Sequence, residues 1–267
     1  MHKFLVFTDL HITEVGERII GLDPMARFTA ALGHALARHG DAAAILLLGD
    51  LTHHGRRSEY LRLRAVLDGL PLPVHATLGN HDDPAIFAEV FPAQVDAAGF
   101  ACRSLDLEGA HVVLLDTHDR DGRAPRHGGF LCPARRDWLA RRLGAVSGPV
   151  LLACHHPPFR SGFAGMDAIA LTDPDSVLGP AQACPGPVHL LCGHVHRTLS
   201  GMVGGLPFSV LKSPCHQMPM VLSASETSLS VDEPGAYGIV LIDAGGVIVH
   251  SEDVLSGTSL ARDPASA

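Results

Sequence analysis

Asp9-Leu10-His11, Gly49-Asp50, Gly79-Asn80-His81-Asp82, His155-His156-Pro157-Pro158 and Gly193-His194-Val195-His196 concentrate the side chains of this sequence that can bind a metal. Neutral imidazole, carboxylate and amide oxygen together suit a divalent ion such as Zn, Mn, Fe or Co, and no thiolate is needed. Alternate residues of an extended chain point the same way, so Asp9 and His11 can reach one ion together. His194 and His196 can do the same, or divide between two ions. Asp50, with two carboxylate oxygens, is the natural bridge. Taken singly, each cluster has an ordinary reading as a turn, a surface histidine or a proline-stiffened loop. Their joint occurrence, each closing an apolar run, points to one shared site.

Those apolar runs are the elements that must position the clusters. Residues 4–7 read as a strand ending at Asp9 and His11, and residues 42–48 as a buried strand ending at Asp50. Residues 74–78, 150–154 and 188–192 read as strands ending at Asn80, His155 and His194. Helices are expected over 24–38, with Asp23 as N-cap and Pro24 in the first turn, over 57–68, from about Pro84, and over 133–144. Strands 100–107 and 111–116 pair around Glu108-Gly109, and short β runs follow at 198–203, 207–211, 236–243 and 246–250, the last two forming a hairpin. Residues 223–235 read as loop. In open α/β sheets the carboxyl ends of the strands line the ligand crevice, so distant clusters converge there. One α/β domain with two β-layers is expected over residues 1–255, with residues 256–267 as a flexible polar tail.

Composition narrows the partners. In 267 residues the hydrophobic share of 46% can fill a sizeable core. The net charge of −8 without a basic run argues against a nucleic-acid polymer as partner. The six cysteines are scattered without a CxxC pair, the pattern of free thiols in a reducing compartment. The N-terminal FLVF is too short for a secretory core, and no apolar stretch approaches the ~18–20 residues that cross a bilayer, so a cytoplasmic protein without membrane association is expected.

The ordered set D-x-H, G-D, G-N-H-D, H-H-P-P and G-H-x-H resembles that of the calcineurin-like metallophosphoesterases, from Lys3 to about Pro219. The stretches 49–60, 79–83, 128–143, 155–158 and 215–219 resemble most the bacterial branch holding glycerophosphodiesterases and class III cyclic-nucleotide phosphodiesterases. The resemblance implies a four-layer α/β/β/α sandwich with two divalent metal ions. Asp9, His11, Asp50 and His196 would hold one ion, and Asp50, Asn80, His155 and His194 the other. His81 and His216, with Asn80, would contact substrate, and His81 would also assist the leaving group. His53 and His54 are expected beside the ligands or facing solvent, Asp82 to orient His81 or cap the next helix, His156 to neighbour the ligand His155, and Cys154 to pack. The implied reaction is hydrolysis of a small phosphodiester, a cyclic nucleotide or a glycerophosphodiester, by a metal-bridged hydroxide. Alternatives are a phosphomonoesterase or nucleotide phosphatase with the same ions, a nuclease, and a non-catalytic binding module. A homo-oligomer, dimer or larger, is also implied.

Overall fold

Phe4 and Val6 alternate with Leu5 and Phe7 along the first strand, β1 (His2–Phe7), and the alternation sends its two faces into different cores. Leu5 and Phe7 pack with Phe28, Leu63 and Phe87, on helices α1 (Pro24–His39), α2 (Arg57–Leu67) and α3 (Pro84–Val90). Phe4 and Val6 pack instead with Leu46, Val112, Leu151, Leu191 and Val240, a layer shared by two sheets. The structure, a computed structural model, describes residues 1–254. The expected tail at 256–267 lies outside the described residues.

In the first sheet β1, β2 (Ala44–Leu48) and β3 (Val74–Thr77) are parallel neighbours. On its other edge β1 pairs antiparallel with β10 (Ala236–Asp243), which forms a hairpin with β11 (Gly246–Asp253). The second sheet begins with the antiparallel pair β4 (Arg103–Leu107) and β5 (Ala110–Leu115). Parallel strands β6 (Val150–Cys154) and β7 (Val188–Cys192) follow, then β9 (Leu206–Val210), with β8 (Leu199–Val203) antiparallel at the edge. Helices α4 (Pro133–Gly144) and α6 (Asp175–Gln182) cover its outer face through Leu139, Leu143, Val177 and Leu178. The result is the expected α/β/β/α order of four layers. Truncating an interior side chain such as Leu46 to alanine would cost about 2–5 kcal/mol.

Local chemistry explains the element boundaries. Asp23 accepts the Ala26 N–H at the start of α1, as expected. Glu59 accepts the N–H groups of His54 and Arg56 and so fixes the entry to α2. The cap of α3 is Asp83, which takes the N–H groups of Ala85 and Ile86; Asp82 does not cap it. The strand expected from residue 100 starts at Arg103, because the Asp96 carboxylate draws the N–H groups of Ala98 and Phe100 into a turn. Helix α5 (Ala164–Ala168) and α6 lie in a stretch with no helical expectation; α5 is one turn long and α6 contains Pro180. All six cysteines are free thiols, three of them buried. Among the described residues, no helix is long and apolar enough to cross a membrane.

Candidate metal centre

The parallel strands of both sheets deliver their carboxyl ends to one place. Beyond β1 and β2 the chains stay hydrogen-bonded: Asp9 N–H reaches Gly49 O at 3.0 Å and His11 N–H reaches Asp50 O at 2.9 Å. This pairing puts Asp9, His11 and Asp50 side by side in spite of left-handed backbone, with φ of 56°, 47° and 46°. His194 and His196, after β7, have φ of 71° and 52°. Such conformations are costly for residues with a Cβ and persist where the surroundings over-determine them, typically at functional sites. Two glycines let the loops meet. A Cβ on Gly193 would collide with the Thr8 hydroxyl, and one on Gly79 with the Asp50 carboxylate.

The side chains gather into two adjoining groups. In one, His11 Nε2 lies 3.0 Å from His196 Nε2 and 3.6 Å from Asp50 Oδ2, and His196 Nε2 lies 3.2 Å from Asp9 Oδ1. In the other, His155 Nε2 lies 3.2 Å from Asn80 Oδ1, 3.2 Å from His194 Nδ1 and 3.4 Å from Asp50 Oδ2. Ligand atoms about 2.1 Å from one ion sit about 3.0–3.4 Å apart at octahedral or tetrahedral angles. The donor spacing therefore fits divalent cations.

Each imidazole is aimed by its other nitrogen. His155 Nδ1–H donates to Leu48 O at 2.9 Å, His196 Nδ1–H to His216 O at 2.9 Å, and His194 Nε2–H to Ile169 O at 3.1 Å. Fixing the proton on the far nitrogen turns the near lone pair toward the cluster, the usual support of a metal-bound histidine. His11 differs, since its Nδ1 meets His53 Nδ1 at 3.2 Å. The carboxylates are aimed as well. Asp9 accepts the His194 N–H at 3.0 Å and the Thr8 hydroxyl at 2.7 Å, both on Oδ2, and Asp50 Oδ1 accepts the His81 N–H at 2.8 Å.

The electrostatics favour a cation. Burial opposes charge on His155, but the Asp50 and Asp9 carboxylates overcome it and push its pKa up to about 10. Asp50 is held well below the usual carboxylate range, with burial opposing and His155 and His81 prevailing. Burial, seconded by His155, drives His194 down to about 3, and burial likewise keeps His11 well below its ordinary value. The cluster thus combines buried carboxylates with two neutral imidazoles, His11 and His194, whereas at His155 and His196 burial is outweighed by the carboxylates, which raise the pKa, and a bound cation would displace those protons.

Above the cluster opens a cleft of about 360 Å³. His81 and His216 both line it. His81 Nδ1–H donates to His53 O at 2.8 Å, and its ring stacks between His53 (5.2 Å, 15°) and His127 (5.1 Å, 21°). His54 is tied to Glu59 at 2.9 Å, away from the cluster. His156 is buried beside His155 and His194 with Nδ1 on Thr117 Oγ1 at 2.8 Å, and Cys154 faces Cys192 in the outer core, packing as expected. Asp82 does something else than expected. It accepts the N–H groups of Gly79 (3.0 Å), Leu51 (3.1 Å) and Thr52 (3.2 Å) and the Tyr60 hydroxyl (3.0 Å), knotting the β2 and β3 loops together. Burial and the nearby Asp50 raise its pKa to about 6.

His127 has no signal in the sequence. It sits in an irregular loop with φ of 69° and accepts the Asn80 Nδ2–H at 3.1 Å, which leaves Asn80 Oδ1 facing His155. The segment after the double proline, also without a motif, supplies Met166 and Ile169 to the cleft.

Comparison with known proteins gives the family. The family model for calcineurin-like phosphoesterases matches residues 2–198. A probable cyclic nucleotide phosphodiesterase of Rhodopseudomonas palustris is 38% identical over 93% of this chain and 91% of its own. The glycerophosphodiester phosphodiesterase GpdQ of Enterobacter lignolyticus is 29% identical over 66% of this chain and 64% of its own. Among solved structures, a dimetal phosphatase from Danio rerio shares the fold with a TM-score of 0.70 at 14% identity, covering 95% of this chain and 96% of its own. Fold, strand-end chemistry and a family match over most of the chain converge, and the protein belongs to the calcineurin-like phosphoesterases, a family of hydrolases.

Proposed function

We propose that this protein hydrolyses small phosphodiesters, cyclic nucleotides or glycerophosphodiesters, to a phosphomonoester and an alcohol, with two divalent cations as cofactors. Asp9, His11, Asp50 and His196 would hold one cation, and Asp50, Asn80, His155 and His194 the other. The observation that carries this reading is the shared position of Asp50, whose Oδ2 is 3.6 Å from His11 Nε2 and 3.4 Å from His155 Nε2. When bound, such a pair of cations supplies Lewis acidity that acidifies a water and neutralises charge on the phosphoryl oxygens.

The chain's own residues do the rest. His81 commits Nδ1–H to the carbonyl of His53, leaving Nε2 for the substrate. In its imidazolium form that atom donates a proton to the departing alkoxide. His216 and Asn80 contact the phosphoryl group, and His127 keeps the Asn80 oxygen turned toward the second donor group. Among the described residues no Lys or Arg lines the cleft, which favours a small diester over a nucleic-acid polymer. The names borne by the relatives from Rhodopseudomonas palustris and Enterobacter lignolyticus support diesters over monoesters.

Paired assays of the metal-loaded protein on bis(p-nitrophenyl) phosphate and p-nitrophenyl phosphate test the reading. Faster turnover of the diester is expected. Faster turnover of the monoester would replace the phosphodiesterase by a phosphatase.

A further inference from the structure

The segment Ile19–Leu22 is a two-residue hairpin, closed by Leu22 N–H on Ile19 O at 2.8 Å and Ile19 N–H on Leu22 O at 3.0 Å. Its central residues, Ile20 and Gly21, have φ of 46° and 84°. That is the left-handed pair of a type I′ turn, where Asn, Asp or Gly belongs at the first position. A β-branched side chain there is a steric outlier. Packing does not explain it, because Ile20 is 51% exposed and joins none of the apolar clusters of the fold. Ile20 does line the cleft above the metal-donor groups. Strain kept at a cleft residue, with no return in core burial, points to a ligand contact.

The surroundings define what that contact takes. Besides Ile20, the cleft carries apolar surface from Met166, Ile169, Met218 and Leu229. The hydroxyls of Thr227, Ser228 and Ser230 lie along the same lining. Among the described residues, Asp50, already committed to the donor groups, is the one acid or base of the Asp, Glu, Lys and Arg types in it, and no Phe, Tyr or Trp ring is present. A cationic alcohol such as choline would find neither an aromatic face nor a free carboxylate. An uncharged alcohol with an apolar face, a nucleoside or an aryl group, would find methyl groups and hydroxyl partners.

We propose that Ile20 is a specificity-determining residue, gripping the neutral organic group of the phosphodiester together with Met166, Ile169, Met218 and Leu229. The inference rests on the phosphodiesterase reading above and narrows its substrate class. Ile20 trades backbone ease for this grip, so the residue that relaxes the turn is also the one that loosens the substrate.

Ile20→Asn makes the test sharp, since asparagine suits the turn and removes the apolar contact. Thermal stability of the full chain should stay level or rise. The KM for bis(p-nitrophenyl) phosphate should rise about fivefold, the change residing mainly in KM, while the KM for methyl p-nitrophenyl phosphate changes less. Leu229→Ser should move the same ratio in the same direction. An unchanged ratio of the two KM values in a stable Ile20→Asn variant overturns the proposal, and so does a lowered melting temperature, which would make Ile20 a fold residue. Wild-type turnover is the control that separates the two readings. A wild type inactive on both diesters removes the phosphodiesterase and this inference with it, whereas an active wild type with an unaltered Ile20→Asn preference removes the inference alone.

Discussion

On the floor of the cleft, His155, His194 and His196 each give one nitrogen to a backbone carbonyl, and Asp9 and Asp50 each accept a backbone N–H. At the rim, Ile20 is exposed and strained, and Leu229 lies in an irregular stretch between β9 and β10. The two regions share one cavity and differ in how they are held. The floor is over-determined, so its donors have a single arrangement. At the rim the Ile20 side chain joins none of the apolar clusters and no donor group, so it can differ in size and polarity without disturbing the donors. On the proposed reading chemistry and substrate choice are carried by separate parts of the fold, joined at His81 and His216, which line the same cleft.

Removing a floor residue should have the largest effect. Asp50→Ala is expected to lower kcat/KM on the order of 10³-fold or more, with most of the metal lost, because one carboxylate serves both groups. Steady-state kinetics with metal analysis checks this, and retained turnover with two metals per chain would break the shared role. His81→Ala sits at the boundary. It should cut kcat about 10²-fold and leave the metal content intact; loss of metal would make His81 a ligand instead. Asp82→Ala probes what holds the floor rather than the floor itself. Leaving the buried N–H groups of Gly79, Leu51 and Thr52 unpaired should cost about 3 kcal/mol, read as a lowered denaturation midpoint. An unchanged midpoint would mean that the loops do not depend on that knot. The smallest effect belongs to the rim, where Leu229→Ser should raise KM for an aryl diester a few-fold with unchanged metal content. A loss of metal there would erase the separation of the two regions.

The same division governs what is legible in the sequence. Each donor cluster is contiguous and closes an apolar run, so Asp9, His11, Asp50, Asn80, His155, His194 and His196 stand out along the chain as candidate donors by residue type and position alone. The strands that carry them fall within a residue or two of their expected bounds, since a buried parallel strand is a short unbroken apolar run. The role of Asp82 does not show in its neighbours along the chain, because its partners Leu51 and Thr52 are some thirty residues away and adjacent only in space. His127 gives no signal because its role depends on where an irregular loop folds back on Asn80. The signal for Ile20 is present but local: an Ile-Gly pair at a turn, where Asn-Gly or Asp-Gly is the common choice. Helices α5 and α6 are hidden by brevity and by Pro174 and Pro180, which interrupt a helical pattern.

The central claim is that two cations share Asp50 between the group of Asp9, His11 and His196 and the group of Asn80, His155 and His194. The most direct measurement is metal stoichiometry of the purified full chain, followed through chelation and re-addition of a divalent ion, with diesterase activity read in parallel. The account predicts two ions per chain in the active protein, activity lost on chelation and regained as the second ion returns. Undiminished activity in thoroughly demetallated protein, or full activity with a single ion, would contradict it.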